Sequence, residues 1–361
     1  MKNKKKNILI IGSEPGSGSA LGPISKRLQY NIEVYCTERA SKIFHDEFNI
    51  PCTAIQEPTD NIQANKIIND ILDIHQPSIV VSTLLGNHET SLDHAAGRVC
   101  EQKKIKHIAI LDSWVNLESR FNKKGKHFIG LPTITAVPDQ FTYSDLLRIG
   151  IPSKKLIVTG HPFWDEIRRK VRKYNSKKRQ IGFLLQPLYW LIHKTESVNP
   201  GYTELSVTKI FFEALDLLEY SEQFIKIILR EHPRRNSNYL IPEKYKQKVL
   251  ISKEGSGWEF VEKCDLVVGM SSTLLLHSFL ATIPTIISQP GISNESDQNI
   301  LTKNGVLTNT TTPESLAIEI QKALTEESFQ LDRVSEQYRK KFPTNGDISN
   351  QIIRIIKKLS Q

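Results

Sequence analysis

Short β-type apolar runs alternate with stretches of helical spacing along this chain, and the alternation restarts midway, after a strongly basic connector. This pattern constrains the fold more than any single motif does. Strands separated by helices close most readily into a parallel sheet covered on both faces. Asn7–Ile11 reads as the first strand, Gly12–Gly22 as a glycine- and serine-rich turn, and Pro23–Gln29 as the helix behind it. Further strands are expected at Ile32–Cys36, Ile79–Thr83, His107–Leu111 and Thr133–Ala136, with helices over Ile62–His75 and Ser91–Gln102. Asp165–Lys178 reads as an amphipathic helix and linker. Beyond it come strands at Gln180–Leu185, Phe224–Arg230, Asp265–Gly269 and Thr285–Ser288, with a short edge at Leu250–Ile251. Helical spacing covers Leu205–Tyr220, Thr273–Ala281 and Ile348–Leu359.

A length of 361 residues exceeds what one hydrophobic core ordinarily holds. The expected organisation is an N-terminal domain over 1–160, a hinge over 161–180, a C-terminal domain over 181–340 and a terminal helix in 341–361 that packs back on the first domain. The fold class is therefore α/β, with two doubly wound parallel-sheet domains facing a central cleft.

The longest apolar stretches, such as Ile8–Ile11, fall far short of the roughly 20 residues that cross a bilayer. The lysines of Met1–Lys6 lead into turn chemistry and not into a secretory core, so a cytoplasmic location is expected. Four cysteines lie scattered without the spacing of a zinc site or a disulfide framework. His88 and His94 lack metal-ligand spacing, so no metal and no resident cofactor are expected. A net charge of +9 suits anionic partners. Nucleic acid is disfavoured because no recognition motif accompanies the charge, while peripheral contact with the inner face of an anionic membrane fits it. Gly-x-Ser-x-Gly is absent, which leaves a hydrolase nucleophile unsupported.

Three segments could carry chemistry. In Gly12–Gly22, residues Gly16, Ser17, Gly18 and Ser19 read as a loop exposing backbone N–H groups. The spacing is one residue longer than a dinucleotide fingerprint, which favours a substrate or interdomain loop over a nicotinamide site. Arg230-Glu231-His232-Pro233-Arg234-Arg235 follows a strand and places an imidazole among guanidinium forks suited to phosphate. Asp265–Thr273 runs from a buried-type strand into Gly269, Ser271, Ser272 and Thr273 before an apolar helix. A serine there can cap the helix and still leave N–H groups for a phosphate.

Taken together, the strand–His-Pro element, about 35 to 40 residues, strand–Gly-x-Ser-Ser-Thr–helix and then Ile283–Gly291 resemble the donor-binding half of B-type, twin-Rossmann glycosyltransferases (GT-B). The His-Pro and Ser-Ser elements are similar to those of bacterial sialyl- and Kdo transferases and CDP-glycerol transferases. Leu156–Asp165 looks like the hinge of that superfamily. The resemblance implies that His232, Arg234, Gly269, Ser271, Ser272 and Thr273 hold the phosphates of a nucleotide-activated sugar, with a surface glycan or lipid-linked acceptor against the N-terminal domain. The sequence departs from the pattern at His277, where many such enzymes carry a glutamate for the ribose.

An inverting transfer needs a base for the acceptor hydroxyl and donors for the leaving phosphate. Asp112, which ends the strand His107–Leu111, is the first choice of base; Glu89 and Glu118 follow. His232 could also act in catalysis. The expected activity is metal-independent glycosyl transfer. The alternatives are CDP-polyol phosphate transfer, UDP-sugar 2-epimerisation, disfavoured by the absent Asp-Ser-Gly-Gly loop, and a catalytically degenerate nucleotide-sugar-binding subunit.

Overall fold

All five residues of β1 (Ile8–Gly12) and all five of β4 (Ile79–Thr83) are buried, which is what the middle of a parallel sheet requires when helices cover both faces. The computed structural model describes residues 7–28, 32–84, 90–114, 117–121, 123–124, 127–168, 179–194, 199–218, 225–232, 237–293, 298–325, 342 and 347–360. The chain divides into two compact units, Met1–Arg169 with Arg339–Gln361, and Lys170–Tyr338.

In unit 1, β1 and β4 are joined by β2 (Ile32–Thr37), β3 (Thr53–Ile55), β5 (His107–Ile110), β8 (Ile134–Val137) and β9 (Leu156–Val158). The seven strands are ordered β3-β2-β1-β4-β5-β8-β9, all parallel. Between β5 and β8 in the chain, β6 (Lys123–Lys124) and β7 (His127–Phe128) form an antiparallel ribbon. The helices are α1 (Pro15–Arg27), α2 (Glu38–Asp46), α3 (Asn61–His75), α4 (Leu92–Lys103), α5 (Gln140–Ile149) and α6 (Trp164–Arg168). One core lies where α3 and α4 cover β1 and β4 through Ile68, Leu72, Leu92 and Val99. A second lies under β5, β8, β9 and α5, around Leu111, Val137, Leu146 and Leu156.

The first helix corrects the sequence expectation. Helix α1 starts at Pro15, so Gly16, Ser17, Gly18 and Ser19 form its first turns and not a loop. Proline at the first helical position costs nothing, because its missing N–H would have had no partner there. The glycines serve close packing: a Cβ at Gly18 would lie 2.6 Å from Ile43 Cβ on α2, and one at Gly22 would lie 2.2 Å from the Phe48 ring. Low helix propensity is overridden by the need for small residues between α1 and its neighbours.

Unit 2 contains β10 (Arg179–Leu184), β11 (Ile225–Arg230), β12 (Val249–Ser252), β13 (Leu266–Gly269), β14 (Thr285–Ser288) and β15 (Asn309–Thr310). Its six-stranded sheet is ordered β12-β11-β10-β13-β14-β15, also parallel throughout. Around it lie α7 (Leu188–Lys194), α8 (Glu204–Asp216), α9 (Gly257–Lys263), α10 (Thr273–Leu280), α11 (Ile300–Lys303) and α12 (Pro313–Thr325). Phe183, Phe211, Leu229, Val268 and Ile320 form the centre of its core. Among the described residues no helix is long and apolar enough to cross a membrane.

The last helix, α13 (Ile348–Leu359), belongs to unit 1 and packs against α1 and α6. It buries Ile348, Ile352, Ile353 and Ile356 on one face. Its own N-cap residue, Asp347, makes no capping bond. Asp165 of α6 does that work from a distance in sequence: Oδ1 accepts from Ile348 N at 3.2 Å and Oδ2 from Ser349 N at 2.9 Å. Arg27 of α1 reinforces the junction, donating to Ser349 Oγ at 2.6 Å and Glu166 Oε1 at 2.8 Å. Asp165→Ala leaves two buried N–H groups without acceptors and should cost unit 1 about 2 kcal/mol in urea unfolding. An unchanged midpoint would show that α13 is held by its apolar face alone.

Candidate functional site

In unit 2 the chain leaves β10 toward β11 and β12, then returns to the opposite side of β10 as β13. The loops after β10 and β13 therefore diverge, and it is at such a switch point that open parallel sheets bind ligands. Register aligns the residues there. Leu184 pairs with Arg230 on one side and with Gly269 on the other. Gln186, His232 and Ser271 each lie two residues beyond these paired positions, after the neighbouring strands β10, β11 and β13 respectively. His232 and the Ser271–Thr273 segment are thus brought to the same edge of one sheet, on either side of β10. Arg234 lies outside the described residues.

Helix α10 opens at Thr273 with Ser272 as its N-cap, whose hydroxyl accepts from Leu274 N at 3.3 Å. The hydroxyl of Thr273 bonds to no described residue. Gly269 is needed for packing: a Cβ would meet Leu184 Cβ at 3.1 Å. Ser271 is not free, since its N–H and its hydroxyl both donate to Gln186 Oε1, at 2.9 and 3.0 Å. Gln186 was absent from the sequence expectation, and a lone glutamine after a strand carries no signal that would have revealed it.

Neighbouring loops are braced. Buried Gln289 accepts from Asn299 N at 2.8 Å and donates to Tyr202 Oη at 2.7 Å, and Asn299 Nδ2 donates to Met270 O at 3.3 Å. Arg230 is buried and spent on structure, donating to Ser252 Oγ at 2.9 Å and to the carbonyls of Glu254 and Gly255. Burial holds its guanidinium below the usual range. Glu231 is also committed, accepting from Tyr239 Oη at 2.7 Å and pairing with Lys253 at 3.3 Å. His232, next in this run, is half-buried.

The switch point of unit 1 lies between β1 and β4. Here Ser17 Oγ and Thr83 Oγ1 are 2.6 Å apart, and Thr83 donates to Asp93 Oδ1 through its hydroxyl at 2.6 Å and its N–H at 3.1 Å. Since Thr83 donates its proton to Asp93, Ser17 must donate to Thr83. Its oxygen then receives the N–H groups of Ser13 and Glu14, both at 3.4 Å. The chain of bonds fixes the first turn of α1 to α4.

Asp112 follows β5 on the same edge. Its Oδ1 pairs with Arg120 at 2.7 Å, both side chains being at most 10% exposed, and Arg120 also donates to Leu84 O. A Cβ at Gly16 would lie 2.6 Å from Asp112 Oδ2, so this carboxylate occupies the space left by the missing side chain at the start of α1. A helix N-terminus and a guanidinium both favour a negative charge there. Glu89 lies outside the described residues, and Glu118 is exposed.

Trp114 donates its indole N–H to Asp139 and stacks on Trp164 at 6.3 Å, so its ring is packed within unit 1. His161, in the segment after β9, is buried, and its Nδ1 accepts from Phe163 N at 3.2 Å. Burial pushes its pKa down to about 4 against the opposing pull of Asp112. Burial likewise pushes His107 to about 4, with Lys155 adding to the effect. Asp93 goes the other way. Full burial lifts it to about 6, the bonds from Thr83 oppose the rise, and the charge of Asp112 adds to it.

No protein-family model matches this chain, and no curated protein matches it. Solved structures do match over nearly the full length. The UDP-GlcNAc 2-epimerase of Methanocaldococcus jannaschii, in complex with UDP-GlcNAc and UDP, superimposes with a TM-score of 0.66 at 17% identity, covering 98% of this chain and 99% of that one. The UDP-GlcNAc 2-epimerase of Neisseria meningitidis, bound to UDP-GlcNAc, gives 0.67 at 13% identity over 98% and 100%. The glycotransferase of kitacinnamycin gives 0.66 at 11% over 99% and 100%. Identities this low show the fold alone: two parallel-sheet, Rossmann-like domains, as in the GT-B fold.

Asp93 generates a pH test. Its folded-state pKa of about 6 stands above the ordinary 3.8, so the stability it contributes is full below pH 4 and is lost as pH rises through 6. His107 and His161 act oppositely, weakening the fold as pH falls from 6.5 toward 4. Asp93→Asn keeps an acceptor for Thr83 and carries no charge. Its stability relative to the wild type should therefore improve by roughly 2–3 kcal/mol between pH 4 and 7.5. A difference independent of pH in urea unfolding would contradict a carboxyl buried in this way.

Proposed function

We propose that this chain is a nucleotide-sugar-dependent glycosyltransferase whose unit 2 holds the nucleotide diphosphate of the donor at the carboxyl edge of its sheet. The observation that carries this reading is that His232, Gln186 and Ser271 follow three neighbouring strands at a switch point, with Thr273 opening a helix beside them. A helix N-terminus, hydroxyl donors and an imidazole suit the charge that develops on a departing phosphate. With such donors the leaving group needs no divalent ion. The reading therefore includes metal-independent transfer, with the acceptor a glycan or a lipid-linked sugar.

In unit 1 the base is Asp112. One oxygen is held by Arg120 and the other rests against Gly16, which leaves the carboxylate fixed in orientation, as general-base catalysis requires. Water activated in the same way would release the free sugar when the acceptor is missing.

A second reading, UDP-sugar 2-epimerisation, is favoured by the neighbours that bind UDP-GlcNAc. It differs in product: the sugar stays on the nucleotide and inverts at one carbon. The loop Gly269–Thr273 argues against it, lacking the Asp-Ser-Gly-Gly type seen in that resemblance.

Incubation with UDP-GlcNAc separates the two readings. Release of UDP supports transfer, a UDP-ManNAc product supports epimerisation, and neither product with any nucleotide sugar removes both. UDP at 100 times its Kd should stabilise the fold by about 2.7 kcal/mol, read as a rise in Tm. His232→Ala should diminish that rise. Asp112→Asn and Gly16→Ala should leave it intact while lowering turnover by about 100-fold or more, because they disturb the base and not the nucleotide site.

A further inference from the structure

We propose that the side-chain amide of Gln186 is a binding residue that donates through Nε2 to a diphosphate oxygen of the nucleotide. This deepens the function proposed above and rests on it. A backbone N–H can only donate, so the amide atom facing Ser271 N at 2.9 Å must be the oxygen. The hydroxyl of Ser271 reaches the same oxygen at 3.0 Å and fills its second lone pair. The NH2 group is consequently turned away from β13. It donates to no described residue, and Gln186 is half-buried, so its two N–H bonds are open to a ligand.

Gln186 is also held in place along its backbone. Leu185 N donates to Arg230 O at 2.9 Å, and Leu188 N returns to Gln186 O at 2.9 Å. Pro187, which follows, restricts Gln186 to extended conformations. A donor fixed on both sides loses little freedom on binding. Its position between His232 and Ser271 places it at the switch point itself, where a phosphate bound by the start of α10 would come within reach of β10. Gln186 thus converts the donors of Ser271, which it consumes, into donors offered one strand away. A neutral donor pair suits an anionic acceptor, and a carboxylate in its place would repel one.

That contrast supplies the test. Gln186→Glu keeps an oxygen for Ser271 and so preserves the loop, but replaces the NH2 with negative charge. Calorimetric titration with UDP should show Kd raised at least about 10-fold. Uridine, lacking phosphate, should bind wild type and variant alike in a saturation-transfer NMR experiment, and the ligand-free Tm should stay within about 2 °C. Equal UDP affinity in the two proteins would overturn the proposal. A parallel loss of uridine binding would overturn it as well, since the substitution would then be acting through the loop. If wild type binds no nucleoside diphosphate, the functional reading itself falls, an outcome distinct from either.

Discussion

A doubly wound parallel sheet contains one place where two central strands send their loops in opposite directions, and both units of this protein depend on how that gap is filled. In unit 1 it is closed by the protein's own side chains. Ser17, Thr83 and Asp93 form one run of hydrogen bonds across it, and Asp112 enters the space beside Gly16. In unit 2 the amide of Gln186 bridges the gap between β10 and β13, its oxygen spent on Ser271 and its nitrogen bonded to no described residue. The same topology therefore yields a carboxylate-rich edge in one unit and a donor-rich edge in the other.

Buried carboxylates are expensive unless backbone N–H groups or cations receive them. Several here meet that condition at loop ends. Asp139 takes Thr142 N at 2.7 Å at the start of α5, Asp165 caps α13, and Glu204 accepts Tyr189 N at 2.8 Å and Asn238 N at 2.9 Å. Asp165 and Glu204 tie segments distant in sequence. Asp93 is the least satisfied of the group, with one oxygen lacking a bond among the described residues, and burial correspondingly raises its pKa. Rigidity at the sheet edges comes from these bonds, so the residues proposed for chemistry stand on supports that are fixed before a ligand arrives.

Much of the fold is legible in the sequence because central parallel strands must be apolar on both faces. Ile79–Thr83 and Thr285–Ser288 were expected with the boundaries they have. Strand β9 was read as part of a hinge, since three residues at a sheet edge leave little periodic signal. The onset of α1 was missed because glycine and serine spell a turn locally, whereas here they allow α1 to approach Ile43 and Phe48. His232, Asp112 and the Ser-Ser-Thr segment could be singled out from chemistry and position after a strand. Gln186 could not: its importance arises from the register of three strands. The first turn of α4 conceals Asp93 in the same manner, since an aspartate there reads as ordinary helix chemistry.

In the proposed function, unit 2 holds a nucleoside diphosphate at the switch point of its sheet. A crystal structure of the protein grown with UDP tests it most directly. Phosphate oxygens are expected within about 3 Å of the N–H groups opening α10 and of Gln186 Nε2. UDP bound away from the ends of β10 and β13 would contradict it.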